Sequence, residues 1–332
     1  MRYIFKRIVF FIITVWIVIT LNFILPRLMP GNAIEIMLTT FEEKTGSGNV
    51  AAIHALEIAF GLNTHENIFL QYIDYLGRML TGNFGISTLF FPVSVAQMLA
   101  NAIPWTLGLA GVSTVIAFVL GTLLGIRTAW RRNSVVNSVV VPFEFFLNSM
   151  PYFWFALIIE YVFAFLFKWF PLGGAYASSS SNELSTLSFV WSVLYHAILP
   201  AATIVITAMG GWMLTMRNNM ISVLSDDYIT FAFAQGLPDR EIEMNYAARN
   251  AILPSFTGFA MAIGFVISGV LLTEIVFSYP GVGYLLYQAV VNKDYPLMEA
   301  IFLFITIAVL IANFIADIVY VFLDPRARSG GE

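Results

Sequence analysis

Long apolar runs separated by short polar interruptions set the pattern of this chain. Six runs reach the length needed to cross about 30 Å of hydrocarbon at about 1.5 Å per residue. They cover Ile8–Leu28, Trp105–Ala129, Val140–Phe167, Ala197–Met216, Ser255–Phe277 and Met298–Leu323. Residues 29–104 separate the first run from the second and mix short apolar stretches with turn signals at Pro30-Gly31-Asn32 and Thr81-Gly82-Asn83. That segment is too polar to span a bilayer and too apolar to stay unfolded, so it is expected to fold at the membrane surface.

The longest polar interruption in the second half of the chain is Asp226–Pro254. It reads as a helix, a glycine break and a second helix. Ser225 stands where an N-cap is expected, with Asp226 and Asp227 in the first turn, where carboxylates favour the helix dipole. Gly236 stands where a left-handed residue would end that helix, and Pro238 suits the first turn of the next. Tyr228, Phe231, Ala232 and Gln235 share one face at helical spacing, which offers an aromatic knob to a partner.

Composition agrees with the runs. Hydrophobic residues make up 59% of the chain and charged ones 11%, far from the balance of a soluble domain. The fold class is an all-α integral membrane protein. The first run has the basic start of a secretory signal, but its apolar core is too long and no small-residue cleavage site follows, so it reads as a retained span. The chain contains no cysteine, and its three histidines (His54, His65 and His196) have no ligand spacing. No metal site or cofactor is expected. A net charge of −4 without a basic cluster gives no reason to expect nucleic acid.

Lys and Arg set the orientation. With the N-terminus inside, eleven basic residues fall on the cytoplasmic side (Arg2, Lys6, Arg7, Arg127, Arg131, Arg132, Arg217, Arg240, Arg249, Arg326, Arg328) against five outside (Arg27, Lys44, Arg78, Lys168, Lys293). Both termini are expected in the cytoplasm, and so is Asp226–Pro254. Residues 29–104 and a small loop at Ser178–Ser181 lie outside. Domain boundaries follow as 1–28 for the first span, 29–104 for the external region, 93–323 for the transmembrane core, 226–254 for the cytoplasmic loop and 324–332 for a tail.

Candidate chemistry is sparse. No GxxxxGK[ST] phosphate loop occurs; Gly121 and Gly125 form the nearest string, and small residues inside a span usually allow close helix packing. No Ser/His/Asp set, paired carboxylates or HExxH string appears, so no catalytic residue is assigned and the chain is not expected to be an enzyme. Glu144 and Asp317 are expected at the cytoplasmic ends of spans three and six, solvated at the interface. Glu160 lies deeper and is expected to face a wet cavity or a partner subunit, as a substrate-path residue or as half of a structural pair. Glu274 fits a lumen and an interface equally well. Asn148, Glu160, Trp212 and Asn313 are the candidate substrate-path positions. Pro151 and Pro200 free backbone carbonyls, compatible with a moving pore wall and with static kinks alike.

Taken in order, the motifs resemble the first permease subunit of oligopeptide/dipeptide/nickel-type ABC importers. The similarity runs through Tyr3-Ile4-Phe5-Lys6-Arg7, Met29-Pro30-Gly31-Asn32, Phe60-Gly61-Leu62-Asn63, Gln71-Tyr72, Gly82-Asn83-Phe84-Gly85-Ile86-Ser87 and Pro104-Trp105-Thr106-Leu107. In the C-terminal third, Ala232, Ala234, Gly236-Leu237 and Arg249-Asn250-Ala251-Ile252-Leu253-Pro254 resemble the cytoplasmic EAA-type loop of such importers. Glu274 to Gly283, Asp294-Tyr295-Pro296 and Asp324-Pro325-Arg326 fit as well. The literal EAA triplet is absent, and Phe233 and Gln235 stand where relatives are expected to carry basic side chains.

The resemblance implies a type I ABC importer permease fold with six transmembrane helices and a long folded external loop after the first. It implies a multi-pass protein of a prokaryotic cytoplasmic membrane that moves peptides or similar small oligomers inward by alternating access. The implied partners are a second homologous permease, two cytosolic ATP-binding subunits, an extracytoplasmic substrate-binding protein and the lipid bilayer around the spans. The ATPase-coupling contact falls on Tyr228, Phe231, Ala232, Gln235, Gly236, Leu237 and Pro238. The alternatives are a secondary transporter without an ATPase and the same importer type carrying oligosaccharides or nickel complexes. A secondary transporter predicts inverted repeats, and no convincing repeat joins the two halves. A scaffolding protein whose loop lies on lipid is disfavoured, because residues 219–253 hold five acids against two arginines.

Overall fold

The computed structural model describes residues 2–28, 67–131, 134–177, 186–264 and 270–323. Met29–Asn32, Phe60–Asn63, the Ser178–Ser181 loop, Asp324–Arg326 and the Asp317 side chain lie outside the described residues. The described chain is helical, with one isolated antiparallel bridge between Ile86 and Ser94. It divides into two compact units, Met1–Trp105 with Gly281–Ile311, and Thr106–Pro280 with Ala312–Glu332.

The first unit contains α1 (Arg2–Leu28), α2 (Ile68–Thr81), the start of α3 (Val95–Trp130), α10 (Val282–Val291) and the first part of α11 (Tyr295–Leu323). α2 begins where the Asn67 side chain accepts from the Phe69 N–H, and ends where Gly82 takes φ +68°, a left-handed cap that glycine reaches without penalty. Phe23 of α1 is buried against Tyr72 and Tyr75 of α2, with ring centroids 5.2 and 5.3 Å away. Asn22 donates from Nδ2 to the Glu299 carbonyl at 3.0 Å, tying α1 to α11. Val95, Leu99 and Ala102 form a core with Val282, Ala289, Leu297, Met298 and Ile301.

The second unit is organised by α6 (Thr186–Val223), which carries Pro200 inside it. α4 (Val135–Ser149) and α5 (Tyr152–Ile159) pack on α6, and a π-helical stretch, Glu160–Leu166, continues α5. α7 (Asp227–Ala234) follows, and a helical stretch that starts at Asp239 widens to π geometry over Ile242–Ala248 and runs into α8 (Arg249–Gly264). α9 (Leu271–Val276) closes the unit. Gly121 and Gly125 do the packing work their spacing implies. A Cβ at Gly121 would sit 2.5 Å from the Met209 carbonyl oxygen, and one at Gly125 would sit 2.6 Å from that of Met213. The backbones of α3 and α6 therefore approach as only glycine permits.

Several expected boundaries move. Among the described residues, three helices are long and apolar enough to cross a membrane: Val95–Trp130, Thr186–Val223 and Tyr295–Phe314. The run expected as the third span, with Pro151 marking a kink, is two helices bent by 106°. The break falls at Met150 (φ −98°, ψ 135°), because a proline at 151 pushes the residue before it out of the helical region. α3 starts ten residues before the expected Trp105 and continues through Pro104. Pro254, expected at the end of the polar loop, lies within α8, which begins at Arg249.

Candidate functional site

The segment after α6 is built as a platform with a projecting knob. Its base is a buried cluster in which Ile229 and Ala232 of α7 meet Met216 and Met220 of α6, Ile126 and Ala129 of α3, and Ile242, Ala247, Ala248 and Ala251. Asn219 of α6 donates to the Ala251 carbonyl and to Ser255 Oγ, both at 3.2 Å, so the far end of the loop is pinned to the helix that precedes it. Asn250 donates to the Tyr228 hydroxyl at 2.9 Å and to the Tyr246 carbonyl at 3.0 Å, which joins the two halves of the loop at its rim.

The cap of α7 differs from expectation. Asp226 takes the N-cap position with an extended backbone and makes no side-chain cap bond. Ser225 lies one residue before that position, and its Oγ donates to the Ser222 carbonyl at 2.6 Å. The C-terminal end matches the expectation: Gly236 has φ +73°, its N–H donates to the Phe233 carbonyl at 3.0 Å, and the chain turns without strain. Pro238 sits one step earlier than expected, at the N-cap of the next helical stretch (ψ 142°).

The structure divides the expected contact face. Tyr228, Phe231, Gln235, Gly236 and Pro238 are exposed, Phe231 to 64%, and Leu237 is half-buried against the base. Ala232 is 1% exposed and belongs to the base, so it supports the face instead of presenting it. Phe233 was seen in the sequence only as a departure from a pattern. It projects at 49% exposure and stacks on Trp130 of α3, 6.1 Å between centroids and 15° between planes. A residue near one end of a span and another some hundred positions later give no sequence signal of such a contact.

Beside α7, a cavity of about 730 Å³ opens between the end of α3 and the stretch Asp239–Met244, with Arg127, Arg131 and Arg240 in its wall. Arg127 lies 3.8 Å from the Glu243 carboxylate. At that distance the interaction is a loose ion pair without hydrogen-bond geometry.

The candidate substrate-path residues lie on four different helical stretches. Trp212 is half-buried and packs edge-on against Phe118 at 5.3 Å and against Phe259 at 6.2 Å. Glu160 begins the π-helical stretch and is half-buried, as is Asn313 in α11. Asn148 lies in α4; its side chain is outside the described residues. No hydrogen bond, ion pair or ring contact among the described residues joins Glu160, Trp212 and Asn313.

Two acids behave differently from expectation. Glu144 is not solvated at an interface: it is 1% exposed, and neither carboxylate oxygen has a hydrogen-bond partner among the described residues. Turning the α4 face that carries it toward the interior of the unit removes the water that interfacial solvation requires. Glu274 is fully buried in α9, which settles neither alternative the sequence offered but places it inside the unit. Just beyond α9, burial pushes the Tyr279 hydroxyl up to about 12, and the Glu274 carboxylate adds to the rise.

Residues 121–329 match the model of the family described as binding-protein-dependent transport system inner membrane component. Among curated proteins, the chain is 31% identical to the oligopeptide transport system permease protein AppB of Bacillus subtilis, over 92% of each chain. It is also 31% identical to the di/tripeptide transport system permease protein DppB of Pseudomonas aeruginosa and to the oligopeptide transport system permease protein OppB of Haemophilus influenzae, over 99% of each chain in both cases.

Proposed function

The chain belongs to the family of binding-protein-dependent transport system inner membrane components, and from that premise we propose that it is a pore-forming subunit of an ATP-driven importer that moves peptides inward. The permeases it resembles carry peptide-transport names along their whole length, and this supports peptides over oligosaccharides or nickel complexes as the cargo. A family of transport permeases is not one of enzymes; ATP hydrolysis is assigned to separate subunits.

The observation that carries the reading is the form of α7. A short helix seated on a buried base exposes Phe231 and Phe233 to solvent at 64% and 49%. Exposed aromatics on a rigid support are what a groove in a partner would grip. Because Met216 and Met220 of the long helix α6 contribute to that base, a push on α7 reaches α6 through packed side chains, not through a flexible tether. Closure of two ATPases would thus tilt the spans. Six spans, cytoplasmic termini, a second permease, and an external binding protein docking on the region 29–104 complete the proposal.

The test is purification of the tagged chain from its own membrane, followed by reconstitution with the binding protein. Two ATPase subunits and a second permease should co-purify, and di- or oligopeptide should stimulate ATP hydrolysis and enter the vesicles. Peptide uptake driven by an ion gradient without any ATPase would overturn the reading in favour of a secondary transporter.

A further inference from the structure

The cavity beside α7 includes in its wall neither of the exposed aromatics, Phe231 and Phe233, of that helix. Its wall combines Arg127, Arg131 and Arg240 with Trp130, Leu123 and Met244. Two acids, Asp239 and Glu243, also line it. Glu243 faces Arg127 across 3.8 Å without a hydrogen bond, and three guanidinium groups against two carboxylates leave the wall net positive. Guanidinium groups favour phosphate because their planar fork can bond two oxygens at once.

The cavity does not stand alone. Val112, Ile116, Val119 and Leu123 follow one another along one face of α3, each exposed to 40% or more. Helical spacing carries that same face to Arg127 and then to Trp130 and Arg131. From Val112 to Leu123 the stripe is about 16 Å long, close to the roughly 15 Å of hydrocarbon in one leaflet. An apolar track of leaflet length ending in tryptophan and arginines has the polarity profile of a phospholipid: acyl chain along the stripe, indole at the glycerol level, phosphate among the guanidinium groups.

We propose that this cavity and the stripe leading into it bind one anionic phospholipid of the cytoplasmic leaflet, with Arg127, Arg131 and Arg240 holding its phosphate. The leaflet assignment rests on the orientation proposed above; the binding itself does not. The site also touches the coupling element, because Trp130 in its wall is the ring on which Phe233 stacks. A lipid seated there braces α7 against the end of α3, so occupancy is expected to raise the efficiency with which hydrolysis is coupled to transport.

The experiment uses the whole importer in nanodiscs of phosphatidylcholine doped with phosphatidylglycerol, with retained lipid read by native mass spectrometry. Wild type should keep one phosphatidylglycerol in preference to phosphatidylcholine. The double variant Arg131→Gln/Arg240→Gln, at exposed positions, should lower that preference roughly thirtyfold, at about fivefold per arginine. Leu123→Asp, which blocks the acyl track but leaves the arginines, should weaken it as well. Equal retention of both lipids, or unchanged retention in both variants, would overturn the proposal and point to a protein partner over the cavity. Displacement of the lipid by inorganic phosphate alone would assign the site to a free anion instead. Because the readout is lipid and not transport, failure here leaves the permease reading untouched, and failure of ATPase co-purification leaves this one untouched.

Discussion

The turn around Asp294 and the loop around α7 are both polar interruptions between apolar helices, yet they spend their side chains in opposite ways. In the first unit, Asp294 is fully buried and its carboxylate is saturated. It accepts from Ser87 Oγ at 2.5 Å, from the Leu89 N–H at 3.1 Å and from the Leu297 N–H at 3.2 Å. One side chain thereby caps α11 and clasps the Gly85–Ser94 hairpin. In the second unit, polar groups stitch the edges of the loop while aromatic side chains face outward. The clasp is complete within the chain. The knob on α7 leaves Phe231 and Phe233 exposed. Buried polar groups that satisfy each other mark architecture; exposed apolar groups on a rigid base mark a contact.

Three substitutions sharpen that contrast. The largest effect on stability is expected for Asp294→Ala, which removes the acceptor of three hydrogen bonds and leaves their buried donors orphaned. A loss of about 3–5 kcal/mol is expected from charge-assisted bonds of this kind, read as a large drop in melting temperature of the detergent-solubilised complex. A wild-type melting curve would show the clasp to be dispensable. Next comes Gly236→Pro. Proline cannot reach φ +73° and removes an N–H that bonds Phe233, so α7 loses its seat while the membrane core is untouched. Peptide-stimulated ATP hydrolysis should fall at least about tenfold, equivalent to roughly 1.4 kcal/mol, with subunits still co-purifying. Unchanged stimulated hydrolysis would remove α7 from the coupling path. The smallest effect belongs to Ser87→Ala. It deletes one of three donors to a carboxylate that keeps the other two, at a cost of about 1–2 kcal/mol, and it should leave coupling at the wild-type value. If it impairs coupling as strongly as Gly236→Pro, the division of labour between the two regions fails.

Much of the loop was legible in the sequence. The glycine at 236 predicted the left-handed turn, because a helix must end where only glycine or asparagine is comfortable. The aromatic face expected from Tyr228 and Phe231 is exposed in the fold. The side of the helix assigned to Ala232 was less legible. Tyr228, Phe231, Ala232 and Gln235 share a face by spacing, but a face is a range of angles, and small alanine lies on the edge that Met216 and Met220 cover. The N-cap was misplaced by one residue: α7 starts at Asp227, so Asp226 takes the position expected of Ser225. The candidate pore residues Glu160, Trp212 and Asn313 were chosen for polarity in apolar runs, and polarity alone does not say which way a helix turns.

The sequence by itself determined that this is a helical membrane protein, where its apolar runs lie and that its polar loop carries more acids than arginines. Those properties are sums over neighbours in the chain, and hydrophobicity and helical period are local. Only the tertiary structure decided that Pro151 splits a run in two, that Glu144 is buried, that Asp294 clasps a hairpin some two hundred residues away, and that Arg127 and Arg131 join Arg240 around one cavity. The acidic loop becomes half of a basic site only when the end of α3 is folded against it, because charge adds up over space and not over sequence.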